Sequence, residues 1–285
     1  MRITLAQFTC REGDIAHNLA AVLAQIERCS GQTDLLVLPE TQLTGFTHPD
    51  GNTDYALQLQ GPELAQVVAA SQRTGIAVAV GFLEQDGAQL FNSSVLITPE
   101  QGVYLHYRKS HLWTNERVEA QAGDRLVCGL WRGRRIGLLI CYDIEFPEAS
   151  RALALMGCDL LLVTDGNMDP YGHVHRNALL ARAQDNQMFV AMANRAGHGC
   201  GMQFAGESLV VDPLGREVAS LGREPGIVQA ELDFSLLEAA RREYRYLEDR
   251  RLALSGETQW QQRDDEQRLV AANSALTPLA ERPMA

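Results

Sequence analysis

The sequence predicts a mixed α/β fold, with helices laid on the outside of β-sheets. Apolar runs of strand length alternate with segments whose apolar residues recur at helical spacing. Of the 285 residues, 46% are hydrophobic, enough to bury sheets on both faces. At about 150 residues per domain the length alone suggests two domains. No Pro/Ser-rich linker divides the chain, however, so a single domain over residues 1–250 is expected. Residues 251–285 are then expected to be a polar C-terminal tail, either disordered or docked on a partner subunit.

The elements follow in order. Residues 3–8 read as a short strand. Asp14 caps a helix whose apolar positions, Ile15, Leu19, Val22, Leu23 and Ile26, form one stripe that Gly31 ends. Residues 34–38 (DLLVL) are a strand, apolar after Asp34 and closed by Pro39. Pro62 opens a helix that stops near Gly75, and residues 76–82 follow as a strand. Asp86-Gly87 marks a hairpin before a strand at 90–98. A turn at 99–102 leads to another strand at 103–107. The second half repeats this logic: strand 135–140, helix 147–156, strand 159–163, helix 173–186 and strand 188–193. Strands at 208–211 and 217–220 flank the turn at 212–215, and 227–232 is a last strand. The run RREYRYLEDRR (241–251) reads as a helix.

Charge and cysteine usage narrow the function. The 36 acidic residues against 25 basic ones give a net charge of −11, the wrong sign for nucleic acid or an anionic membrane surface. No apolar run approaches the ~18 residues of a membrane span. The opening MRITLAQF lacks the regions of a signal peptide, so a cytoplasmic location is expected. The six cysteines (10, 29, 128, 141, 158 and 200) contain no CxxC pair and read as free thiols.

Three polar side chains sit where buried strands stop: Glu40 after LLVLP, Lys109 after VYLHYR, and Cys141 after RIGLLI. Strand ends are where α/β folds aim residues into a crevice. Singly, each has a plain reading as a surface carboxylate, a solvated lysine or a small core residue. Together they form a working set. A thiol near neutrality needs a base to become a strong nucleophile, and a carboxylate raised by a dry pocket can be that base. A lysine supplies positive charge where an oxyanion develops, and the Tyr142 N–H is a second donor. That chemistry is acyl transfer through a thioester.

The segments LLVLPET (35–41), YRKSHLW (107–113) and GLLICYDIEFPE (137–148) resemble, in this order and spacing, the nitrilase or carbon–nitrogen hydrolase superfamily. ITLAQF, GESLVVDPLGR (206–216) and YLEDRR extend the likeness over residues 3–251. The resemblance implies a four-layer αββα sandwich, with Glu40 as general base, Lys109 as oxyanion stabiliser and Cys141 as nucleophile. It implies a second glutamate, usually seven residues before a glycine. Glu116 precedes Gly123 by that interval, with Glu119 as the rival. It also implies a homodimer or higher homo-oligomer and no metal or organic cofactor.

Cys141-Tyr142-Asp143 followed by EFPE looks like the amide-hydrolysing branches, so the expected substrate is a small carboxamide. A nitrilase and an N-carbamoyl hydrolase use the same residues and are the alternatives. TDGNMDPYGHVHR (164–176), which includes Asn167, resembles the segment lining the acyl pocket. Asp165 stands where relatives carry small or neutral residues. It is expected to pair with a substrate amino group, or structurally with Arg176 or Arg182. Trp113 and Phe46 are candidate pocket walls. His173-x-His175 places its rings on different helix faces, against a metal pair. GHGCG (197–201) reads as a flexible turn at the pocket mouth, with Cys200 exposed and oxidisable. Cys128 and Cys158 read as packing.

Overall fold

The structure, a computed structural model, describes residues 1–47, 53–254, 257–260, 267–270 and 276–278. The chain opens with β1 (Arg2–Gln7), α1 (Ile15–Arg28), β2 (Leu35–Val37) and α2 (Pro62–Thr74). Next come β3 (Ala77–Asp86), β4 (Gln89–Thr98), β5 (Gly102–Arg108) and the single turn α3 (Glu116–Glu119). The second half contains β6 (Arg125–Trp131), β7 (Arg134–Ile140), a 3₁₀ turn (Cys141–Glu145), α4 (Pro147–Leu155) and β8 (Leu160–Thr164). It continues through α5 (Gly172–Asn186), β9 (Phe189–Ala193) and a small hairpin of β10 (His198–Gly199) and β11 (Met202–Gln203). After β12 (Leu209–Val211), β13 (Glu217–Ser220), β14 (Gly226–Glu231) and α6 (Ser235–Glu243) come four tail strands. These are β15 (Leu252–Leu254), β16 (Glu257–Trp260), β17 (Gln267–Val270) and β18 (Leu276–Pro278).

The local signals explain the boundaries. The Asp14 carboxylate accepts the His17 N–H at 3.1 Å and caps α1. Pro62 occupies the first turn of α2, and Gly75 ends that helix in the left-handed region at φ +72°. Strand alternation then sorts side chains between layers. In β2 and the residue after it, Leu35 and Val37 join the core between the sheets. Leu36 and Leu38 face the other way, onto Val22, Ile26, Leu64 and Val67 of α1 and α2.

One sheet runs β14-β1-β2-β3-β4-β5; the other runs β13-β12-β9-β8-β7-β6, extended by β17-β16. Ala77, Leu96, Leu105 and Tyr107 of the first sheet share a core with Val127, Leu138, Leu161, Val163 and Ala191 of the second. α4 and α5 cover the second sheet's outer face, contributing Leu153, Leu179 and Ala183. The layers are therefore helix, sheet, sheet, helix, the αββα order that the sequence implies.

Three differences from the sequence reading have physical causes. β6 (RLVCGLW) was not expected, because its interior Gly129 weakens the strand pattern. A Cβ there would lie 2.6 Å from the Tyr104 hydroxyl, so the glycine lets the sheets approach. The last helix spans Ser235–Glu243 rather than 241–251, because Phe234, Leu237 and Ala240 bury its inner face, and residues 244–251 are not helical. Finally, β17 pairs antiparallel with β6, Gln267 opposite Cys128, so this part of the tail adds to the chain's own sheet. Residues 255–256, 261–266, 271–275 and 279–285 of the expected tail lie outside the described residues.

Candidate active site

Glu40, Lys109 and Cys141 each follow a strand, and the two sheets bring them to one end of the sandwich. Glu40 comes three residues after β2, its N–H donating to the Asp165 carbonyl at 3.1 Å. Lys109 follows β5 directly, and its N–H binds the Asn92 carbonyl of β4 at 2.8 Å. Cys141 follows β7 at φ +45°, a left-handed conformation costly for a residue with a side chain. Asp143 stabilises that bend. Its carboxylate accepts from the Ile140 N–H at 3.2 Å, the Tyr107 hydroxyl at 2.8 Å and the His111 N–H at 2.9 Å. The nucleophile turn of one sheet is thereby tied to β5 of the other.

The Lys109 ammonium donates to Glu40 Oε1 and to Glu116 Oε2, both at 2.8 Å. Asn92 Nδ2 donates to the same two carboxylates, at 2.7 Å to Glu40 and 2.6 Å to Glu116. Glu116 also takes the Trp113 N–H at 2.9 Å. Glu119 lies exposed at the mouth, so Glu116 is the glutamate that reaches the lysine.

Burial sets the ionisation. It is the main influence raising the Glu40 pKa, against the lowering effect of Lys109. It likewise pushes the Cys141 thiol well up, aided by Glu40 and opposed by Lys109 and the Gly166 N–H. Burial works against the Lys109 ammonium, but Glu116 and Glu40 more than restore it and hold its pKa well above the usual range. Glu116, although burial disfavours its charge, is lowered by Lys109. Burial thus favours the neutral thiol on Cys141 and raises the proton affinity of Glu40, which lines the same cavity. Glu40 Oε2 is buried without a hydrogen-bond partner among the described residues.

These groups line a cavity of about 500 Å³, together with Tyr142, Trp113, Asn167 and Phe46 from the sequence reading. Asp165 sits behind the wall. It pairs with neither arginine, because Arg176 reaches Glu217 and Arg182 reaches the Glu145 carbonyl. Its partner is His175, whose Nδ1 lies 3.0 Å from both Asp165 oxygens while Nε2 lies 3.1 Å from Glu145 Oε1. Burial disfavours the imidazolium, yet Asp165 and Glu145 raise its pKa to about 9. Cys141, Asp165 and His175 each present one donor atom within 4.8 Å of the others. A cation there would have to displace the carboxylate contacts of His175.

Sequence reasoning missed Asn92, Asp143 and His175. The signal for Asn92 was present: Asn92-Ser93-Ser94 interrupts an apolar strand, and buried polar groups need partners. For His175, the separation of its ring from His173 concealed a partner ten residues upstream. The GHGCG segment forms the β10–β11 hairpin, placing Cys200 and Met202 on the cavity. Cys200 is half-buried rather than exposed, and its Sγ lies 3.8 Å from the Thr47 carbonyl. Cys128 and Cys158 are buried in the core, as expected. A second hollow of about 430 Å³, lined by Glu84, His106 and Arg108 among others, has no cysteine or serine among the described residues that line it.

Known proteins resemble this chain in sequence and fold. The carbon–nitrogen hydrolase family profile matches residues 2–242. An (R)-stereoselective amidase from Pseudomonas sp. is 52% identical over 90% of this chain and 94% of its own length. A 2-oxoglutaramate amidase from Bacillus subtilis is 32% identical over 81% of this chain and 90% of its own. Among solved structures, a protein of the superfamily from Xanthomonas campestris, with an arsenic adduct in its active site, superposes with a TM-score of 0.82. It is 30% identical and covers 88% of this chain and 97% of its own. A variant of the amidase from Nesterenkonia sp. AN1 carries the acetamide moiety of fluoroacetamide on its active-site cysteine. It superposes with a TM-score of 0.79 at 30% identity, covering 88% of this chain and 94% of its own. With the profile spanning most of its length and these relatives matching nearly end to end, the chain belongs to the carbon–nitrogen hydrolase family.

Proposed function

We propose that this chain is a cysteine-dependent amidohydrolase that converts a small carboxamide to carboxylate and ammonia through a thioester. The observation that carries the reading is the unpartnered, buried Glu40 Oε2 in the cavity that holds Cys141. Its partner oxygen is already fixed by Lys109 and Asn92, so Oε2 is the free proton acceptor.

Glu40 takes the thiol proton as Cys141 Sγ bonds to the carbonyl carbon. Lys109 and the Tyr142 N–H hold the resulting oxyanion. Collapse breaks the C–N bond, and Glu40 returns the proton to the departing ammonia. Glu40 then deprotonates a water that attacks the thioester. The C–S bond breaks, the acid leaves, and the proton goes back to sulfur. Glu116 and Asn92 keep Lys109 and Glu40 aligned throughout. No step calls for a metal or organic cofactor. The reading includes a cytoplasmic enzyme working as a homodimer or higher homo-oligomer.

Mass spectrometry of the protein after brief exposure to candidate carboxamides tests this. The expected result is an acyl mass on Cys141, absent in Cys141→Ala, with ammonia released. Nitrile or carbamoyl turnover much faster than amide turnover would overturn the substrate assignment, and ammonia release unchanged in Cys141→Ala would overturn the mechanism.

A further inference from the structure

The cavity has an unbalanced charge. Among the described residues, its two lining cations are committed: Lys109 to Glu40 and Glu116, and His175 to Asp165 and Glu145. Pairing Lys109 with Glu116 and His175 with Asp165 leaves the lining carboxylates Glu145 and Glu119 uncompensated, whatever the protonation of Glu40. The other nearby cations are turned away. Arg195 is buried against Phe46 and Phe204 and paired with Glu12 at 2.6 Å. Arg182 meets the Glu145 backbone carbonyl and Asp185. Neither lines the cavity.

Glu145 is the better placed of the two acids. It closes the 3₁₀ turn that begins at Cys141, and its side chain is one-third exposed (32%) to the cavity. Oε1 is held by His175, whereas Oε2 has no partner among the described residues. His175 fixes the rotamer of Glu145 and, being shared with Asp165, does not cancel its charge. A carboxylate oriented in this way favours a cation and repels an anion.

Resting on the amidase reading, we propose that the acyl group of the substrate carries a protonated amine held by Glu145, and that acyl groups bearing a carboxylate are rejected. The cavity thus selects aminoacyl amides over neutral ones and excludes half-amides of dicarboxylic acids.

Three amides of similar length test the proposal: valeramide, 4-aminobutyramide and succinamate. Binding is measured by calorimetry on Cys141→Ala, and kcat/KM on the intact enzyme. The ammonium compound binds roughly tenfold or more tighter than valeramide, and succinamate binds weakest. In the Cys141→Ala background, Glu145→Gln, which keeps an acceptor for His175, collapses the ratio of ammonium to neutral binding towards one. Asp185→Asn, behind the wall, leaves that ratio in place. Succinamate binding as tightly as 4-aminobutyramide, or a ratio unchanged by Glu145→Gln, overturns the proposal. Intact enzyme that hydrolyses none of the three while the binding order holds counts against the amidase reading alone.

Discussion

Gly166 is the residue whose replacement should reveal how tightly the base is held. A Cβ built there lies 2.5 Å from Glu40 Oε2 and 2.6 Å from Phe46 Cζ, where ordinary contact begins at 3.4 Å. Gly166→Ala therefore requires Glu40 to move by about 0.9 Å and Phe46 by about 0.8 Å. Glu40 cannot yield freely, because Lys109 and Asn92 grip its other oxygen. A displacement of ~1 Å in a reacting group costs on the order of 10²-fold in rate. The overpacking itself destabilises by roughly 1–3 kcal/mol. The assay is ammonia release from the best carboxamide, with Tm recorded for each variant. Gly222→Ala, where an added Cβ meets nothing within 4 Å, is the control and should keep its rate within about twofold. Gly166→Ala with a wild-type Tm and a rate within about threefold of wild type would refute the idea that Gly166 seats the general base.

Other perturbations follow from the same contacts. Asn92→Ala removes a donor from both Glu40 and Glu116; unfolding by urea should show a loss of roughly 1–3 kcal/mol, with kcat lowered more than KM is raised. His175, its pKa raised from 6.5 to about 9, contributes stability that is fully present below pH 6.5 and lost as pH rises through 9. The gap between wild type and His175→Asn, roughly 3 kcal/mol at most near pH 6, should close by pH ~10; a pH-independent gap in paired urea melts would contradict the buried imidazolium. Burial works against the Glu84 carboxylate, but His106, Arg108 and Ser93 hold its pKa at about 2. Its contribution is present above pH 4.5 and lost as pH falls toward 2, so Glu84→Gln should flatten that part of the acid unfolding curve.

What could be read from the sequence depended on how locally each feature was specified. The positions of Glu40, Lys109 and Cys141 were legible because each terminates an apolar run, and the run fixes where the strand stops. α1 and α2 were legible because Asp14, Pro62 and Gly75 mark their ends. β6 was not, since Gly129 answers to Tyr104 on the opposite sheet, a contact no local pattern shows. His175 with Asp165 escaped for the same reason: ten residues and a helix start separate them, and only packing makes them partners. The expected Asp165–arginine pair failed because His175 takes Asp165, while Arg176 reaches Glu217 and Arg182 reaches the Glu145 carbonyl.

The site is divided between the two halves of the sandwich. Glu40 and Lys109 hang from β2 and β5 of one sheet, and Cys141 and Asp165 from β7 and β8 of the other. Neither sheet alone holds both a thiol and the base that activates it. A chain still emerging during synthesis, or one whose layers have come apart, thus carries Cys141 without Glu40 beside it. Reactivity is a late property that arises only once the faces have docked in register. The proposed catalytic set is therefore assembled only by completed folding, so turnover reports that the two sheets have docked.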